Sequence, residues 1–219
     1  MAKRVLSFGD SLITEEDLQS LEMGLWLGDS VISFAFEYFQ KIFEEDVKKK
    51  KVCFVGAAMS QLIKMGDETD VPLFLDELSL GEKNHAIFVI NDHSDPNTAG
   101  GSHWSLLIFR RKNKPHFLAI DSLSGRNDAP TKKLARILAA YLSVPVNMRF
   151  EEATKQTNSN DCGIFVIEYT RLYMENLQQG GKKETDFTSL RADEMERVRQ
   201  VWATRIRTLA TDNEEEESS

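Results

Sequence analysis

Cysteine is scarce: the 219 residues hold two, Cys53 and Cys162, far apart and in unlike surroundings. That arrangement supports neither a disulfide framework nor a metal cluster, so any cysteine chemistry here is single-thiol chemistry. Long apolar runs are missing as well. No segment approaches the roughly 18 consecutive apolar residues that span a bilayer, and the start, Met1-Ala2-Lys3-Arg4-Val5, has no apolar stretch of the secretory kind. The chain therefore reads as soluble and intracellular, cytoplasmic and/or nuclear, with no membrane partner. A nucleic-acid footprint of clustered Lys and Arg is also lacking. Net charge is −8, and Asp212, Glu214, Glu215, Glu216 and Glu217 supply five of those units, which leaves a mildly acidic body.

What is present, 41% hydrophobic residues, is enough for one full core. Residues 1–211 are expected to form a single catalytic domain, and 212–219 an acidic, disordered tail. Thr14-Glu15-Glu16-Asp17 ahead of Leu18 and Leu21 has the form of a capped short helix. A second helix is expected near 30–43, where Val31, Phe34, Phe36, Tyr38, Phe39, Ile42 and Phe43 are too apolar all round for a surface position. Lys48 to Lys51 read as a basic loop, and 57–65 and 71–78 as further helices.

Strands are expected at 86–91, 105–109, 117–120 and 146–151, with a turn-rich loop from Asn91 to Gly101 between the first two. Residues 131–142, 164–177 and a segment carrying Met195, Val198, Val201, Trp202, Ile206 and Leu209 have helical patterns. Helices and a strand meander mix without strict alternation and without internal repeat, so the fold class is α+β.

One hairpin makes a geometric statement. If the strands flanking Lys112-Asn113-Lys114-Pro115 turn about residue 112, His103 lies opposite Asp121. Directly opposed residues have Cβ atoms about 4.5–5.5 Å apart, close enough for a carboxylate to hold an imidazole in one tautomer. A one-residue change of register would exchange Asp121 for Ser122 or Ile120. His116, an odd number of residues from Asp121 on the same strand, points to the other face and is the poorer candidate.

Cys162 ends the polar run Ser159-Asn160-Asp161 and begins an apolar helix. Free backbone N–H groups and the helix dipole there favour thiolate over thiol. The same pattern also suits a small buried residue that opens a core helix, so two readings stand side by side. Gln156, six residues earlier across a polar loop, can fold back so that its amide and the Cys162 N–H donate to one developing oxyanion; an ordinary exposed glutamine has the same spacing. Cys53, between Val52 and Phe54, reads as an inert buried thiol.

Taken in order, Trp26-Leu27-Gly28-Asp29 with Phe34 to Phe39, Gly101-Ser102-His103-Trp104-Ser105, Asp121-Ser122, and Gln156 through Asp161-Cys162-Gly163 resemble the Ulp and sentrin-specific cysteine proteases, a papain-like family acting on ubiquitin-like modifiers. The resemblance runs from about residue 5 to 178. The compact length and the loop Ile90-Asn91-Asp92…Ala99-Gly100-Gly101 are most similar to the deneddylase branch. It implies a papain-like fold with a central mixed sheet flanked by helices. It also implies His103 as general base, Asp121 as its orienting carboxylate, Cys162 as nucleophile and Gln156 as oxyanion donor.

Trp26 and Trp104 would flank a narrow channel for the modifier's Gly-Gly tail, where any Cβ would clash. Asp29 would contact the modifier, although a helix cap is role enough for it; Trp202 is assigned to core packing. The implied partner is the neddylation modifier, with SUMO or ubiquitin, or a non-catalytic binder of such modifiers, as alternatives. Conjugates such as cullins, a monomeric enzyme and no metal or organic cofactor complete the expectation. Substrate is expected to order residues 94–101. Asn160, the stretch 123–156, which ends on Gln156, and residues 179–219 depart from the family pattern, while His103, Asp121 and Cys162 lie outside all three.

Overall fold

The structure is a computed structural model and describes residues 3–95, 98 and 100–217. In chain order the elements are β1 (Arg4–Phe8), β2 (Ser11–Thr14), α1 (Glu15–Gln19), α2 (Asp29–Ile42), α3 (Glu44–Lys50), β3 (Val52–Val55), α4 (Ala57–Met65) and α5 (Asp70–Glu77). They continue with β4 (His85–Asn91), β5 (Trp104–Arg110), β6 (His116–Ile120), α6 (Asp128–Leu142), β7 (Met148–Phe150), α7 (Cys162–Gln178) and α8 (Met195–Glu217). Five strands form one sheet in the order β3-β4-β5-β6-β7. The outer pairs β3–β4 and β6–β7 are parallel and the two inner pairs antiparallel, so the sheet is mixed.

Alternation along β4 explains how helices come to cover both faces. Ile87 and Val89 face a core built with α2, α7 and α8, while Ala86, Phe88 and Ile90 face a second core built with α4, α5 and α6. Every residue of β4 is buried, which is why it reads as an unbroken apolar run rather than an alternating one. The fold is the expected α+β one, a mixed sheet flanked by helices.

Local chemistry accounts for the small elements. Thr14 and Asp17 form a reciprocal capping box on α1. The segment read as a basic loop at 48–51 is instead the end of α3, where Glu44, Glu45 and Asp46 occupy the first turn and Lys48, Lys49 and Lys50 the last. That order of charge suits the helix dipole, and Lys48 pairs with Glu44 one turn back. The β1–β2 hairpin was not anticipated; Glu37 of α2 accepts from Ser11 Oγ at 2.7 Å and from the Asp10 N–H at 3.0 Å and so ties its turn down.

A disordered tail over 212–219 is not what the backbone shows: α8 continues to Glu217, and only Ser218 and Ser219 of that segment lie outside the described residues. Asn213 Nδ2 donates to Ser7 O at 3.1 Å, so the helix is docked as far as this point. Extending a docked helix with glutamate avoids the cost of a new nucleus. No described helix is long and apolar enough to cross a membrane.

Candidate active site

His103 lies just before β5 and Asp121 just after β6, and their contact forms by a route other than the one expected. Leu106 pairs with Ile120 and Arg110 with His116, so the hairpin turns about residue 113 rather than 112. Pro115 has no N–H to give the ladder and is left in the turn, where Asn113 and Lys114 adopt φ of 60° and 90°. Continued outward, this register puts Ser105, not His103, opposite Asp121. His103 is the diagonal neighbour, two residues on and on the same face, within reach of a side chain. Its Nε2 meets Asp121 Oδ1 at 2.7 Å.

His103 is 1% exposed. Burial disfavours the charged ring, but the hydrogen-bonded Asp121 carboxylate and the neighbouring Cys162 sulfur outweigh it and push the imidazole up to about 9. With Nε2 taken by Asp121, Nδ1 has no hydrogen-bond partner among the described residues. Burial likewise works against the Asp121 carboxylate, yet His103 and the N–H groups of Asn127 and Leu123 hold it below the usual carboxylate range.

Cys162 is the first residue of α7 and 3% exposed. The first hydrogen bond of the helix runs from the Phe165 N–H to Asp161 O. The N–H groups of Cys162, Gly163 and Ile164 therefore have no intrahelical acceptor, and no side chain caps them. Gln156 is buried, and its amide is oriented: Ser122 Oγ donates to Oε1 at 2.6 Å, which leaves Nε2 as the donor end, one of its hydrogens going to Asn158 O at 2.7 Å.

The tryptophan segments meet this site from two directions. Trp104 Nε1 donates to Leu27 O at 3.1 Å, while Trp26 itself is 52% exposed. Gly163 lets α7 approach the same stretch, since a Cβ there would stand 2.8 Å from Leu27 Cβ. Asp29 is not the cap of α2; Gly28 holds that position, and Asp29, exposed in the first turn, accepts from the Ser30 N–H at 3.1 Å. Of the loop 91–101, Pro96, Asn97 and Ala99 lie outside the described residues.

The discarded candidates stay away from this cluster. His116 Nδ1–H donates to Lys114 O. Cys53 is half-buried in β3, where burial pushes its thiol up. Trp202 packs edge-on against Phe34, Tyr38 and Phe39.

Several positioning groups were not singled out from the sequence. Asp92 accepts from the backbone N–H groups of Ser102 and His103. Asn127 Nδ2 reaches Ile90 O, His103 O and Ser105 Oγ at 3.0–3.2 Å. Lys64, which burial pushes down to about 8, holds Asn91 O and His93 O. Arg199 reaches the loop before Cys162 from α8. Each looks in the sequence like one more polar surface residue, and Asp92 alone carried a signal, lying within the loop shared with the deneddylase branch.

A family model described as the Ulp1 protease family, C-terminal catalytic domain, matches residues 25–213. Sentrin-specific protease 8 of Mus musculus is 36% identical over 214 residues, covering 96% of this chain and 95% of its own. NEDD8-specific protease 1 of Arabidopsis thaliana is 27% identical over 188 residues, covering 84% of this chain and 80% of its own. Among solved structures, a de-sumoylating protease aligns with a TM-score of 0.70 over 97% of this chain and 92% of its own at 18% identity, a likeness of fold. A buried His–Asp pair beside a cysteine at an uncapped helix start, inside a match spanning most of the sequence, makes this chain a cysteine peptidase that belongs to the Ulp1 protease family.

Proposed function

We propose that the chain cleaves after the C-terminal Gly-Gly of a ubiquitin-like modifier, NEDD8 foremost, both in maturing its precursor and in releasing it from target lysines. The observation that carries this reading is the 2.7 Å contact from His103 Nε2 to Asp121, which leaves Nδ1 for Cys162 at the open start of α7. The choice of modifier is supported by the relatives, one named a sentrin-specific protease and one a NEDD8-specific protease.

In the proposed mechanism the Cys162 thiolate adds to the carbonyl carbon of the terminal glycine, and the new oxyanion accepts from the Cys162 N–H and the Gln156 amide. His103, charged, gives its proton to the leaving amine as the C–N bond breaks, which leaves a thioester. It then takes a proton from water, whose attack on the thioester releases the modifier's carboxylate and restores the thiolate. Asp121 keeps the ring oriented throughout. Trp26 and Trp104 line the channel for the Gly-Gly tail, and Asp29 contacts the modifier. Residues 1–211 act as a single catalytic domain, working as a monomer in cytoplasm or nucleus on conjugates that include cullins.

Incubation with NEDD8, SUMO and ubiquitin, each carrying a C-terminal extension, tests the reading by mass. NEDD8 should lose its extension fastest, and Cys162→Ala should abolish the cleavage, a loss on the order of 10⁴-fold or more. Undiminished cleavage by that variant, or a preference for SUMO or ubiquitin, would overturn it.

A further inference from the structure

Aspartate is among the residues best suited to cap a helix, its carboxylate accepting from the N–H of the second or third helical residue. Asp161 occupies the cap position of α7 and caps nothing. Its φ of −87° and ψ of 0° lie outside the extended region that a capping residue adopts. The carboxylate is drawn away instead. Oδ1 accepts from Arg199 Nε at 2.9 Å and Oδ2 from Asn158 Nδ2 at 2.8 Å.

Arg199 comes from the far end of the chain and is 1% exposed. Besides Asp161 it donates to Asn160 O at 2.8 Å, Ser20 O at 3.1 Å and Glu22 O at 3.3 Å. One buried guanidinium thus joins the loop that ends at the nucleophile to the loop that leads to Trp26. A carboxylate released beside Cys162 would have an obvious destination, the three N–H groups that have no partner among the described residues. There it would block the oxyanion donor and set a negative charge against the thiolate.

We infer that Arg199 is a positioning residue that withholds the Asp161 carboxylate from the start of α7, keeping those N–H groups open for thiolate and oxyanion. The inference rests on Cys162 as nucleophile. Among the described residues, the charged groups tied to this site by contact are His103 before β5, Asp121 after β6, Lys155, which donates to Asp121 O, Asp161 on the loop before Cys162, and Arg199 from α8; Glu22 and Asp29 lie on the segment around Trp26.

Alkylation of Cys162 by iodoacetamide, followed across pH by the mass of the peptide that contains it, reads the thiolate without needing a modifier. Cys162 of the unaltered protein should react faster than Cys53 and slow on His103→Ala; failure of either would overturn the nucleophile assignment and the inference with it. Arg199→Met should raise the pH midpoint of alkylation by about one unit, a roughly ten-fold loss of rate near neutrality. Adding Asp161→Ala to that variant should return the midpoint to its original value or lower, because no carboxylate remains to turn inward. Asp161→Ala alone should also leave the midpoint unchanged or lower, and it decides the matter by the same sign if Arg199→Met does not fold. A double variant as slow as Arg199→Met, or an upward midpoint in Asp161→Ala, would mean that the ion pair only props the loop and would overturn the inference.

Discussion

His103 and Asp121 stand just outside the paired ends of β5 and β6, whereas Cys162 opens a 17-residue helix buried along most of its length. The first half of the site is held by hydrogen bonds borrowed from loops: Asp92 grips the backbone at Ser102 and His103, and Asn127 bridges the His103 carbonyl to the Asp121 carboxylate. The second half is held by packing, with α7 against Leu27 through Gly163 and its cap residue tied to α8. Perturbing the first half should alter protonation and rate. Perturbing the second should alter the geometry of attack.

The largest separation between the halves should come from Asp121→Asn, with kcat/KM falling about 10²–10⁴-fold. The pH profile sharpens this. His103 is raised to about 9, so its proton is present below that pH and lost above it, and kcat/KM of the unaltered enzyme should fall as pH rises through about 9. Without the Asp121 charge the ring loses its proton earlier, and that alkaline limb should move to lower pH. A limb that stays in place would detach Asp121 from the control of His103.

Gln156→Ala belongs to the other half and should lower kcat by about 10²–10³-fold with little change in KM and none in the alkaline limb. A shifted limb would show that the halves are not separable in this way. Asn127→Ala should be milder in rate but visible in stability. It leaves Ile90 O and His103 O short of a donor in a buried site, a cost of about 1–3 kcal/mol that thermal or denaturant unfolding measures. Cys53→Ser is the control for both halves, and activity within roughly two-fold of the original is expected, equivalent to about 0.5 kcal/mol. A larger loss would give the second thiol a role that its place in β3 does not suggest.

Much of this was open to inspection in the residues. The apolar density of 31–43 marked a central helix, Thr14 to Asp17 marked a cap, and the polar-to-apolar switch at Asp161-Cys162 put the sulfur at a helix start, because these signals depend on neighbours in sequence. The resemblance then singled out His103, Asp121, Gln156 and Cys162 from among equals. Where reading failed, the deciding interaction was distant or subtle. Pro115 moved the hairpin centre by one residue, charge order made α3 a helix, and docking on β1 carried α8 into the acidic end.

The sequence by itself determined where most of the helices and the central strands lie and which residue types could carry thiol chemistry, since periodicity, capping and turn formation are settled within a few neighbours along the chain. Only the tertiary structure decided that His103 meets Asp121 on the diagonal rather than head-on, and that a charged residue on the last helix reaches the cap of the helix that Cys162 opens. Both contacts depend on which faces the two cores bury, and a single chain of letters does not contain the distance between residues that folding alone brings together.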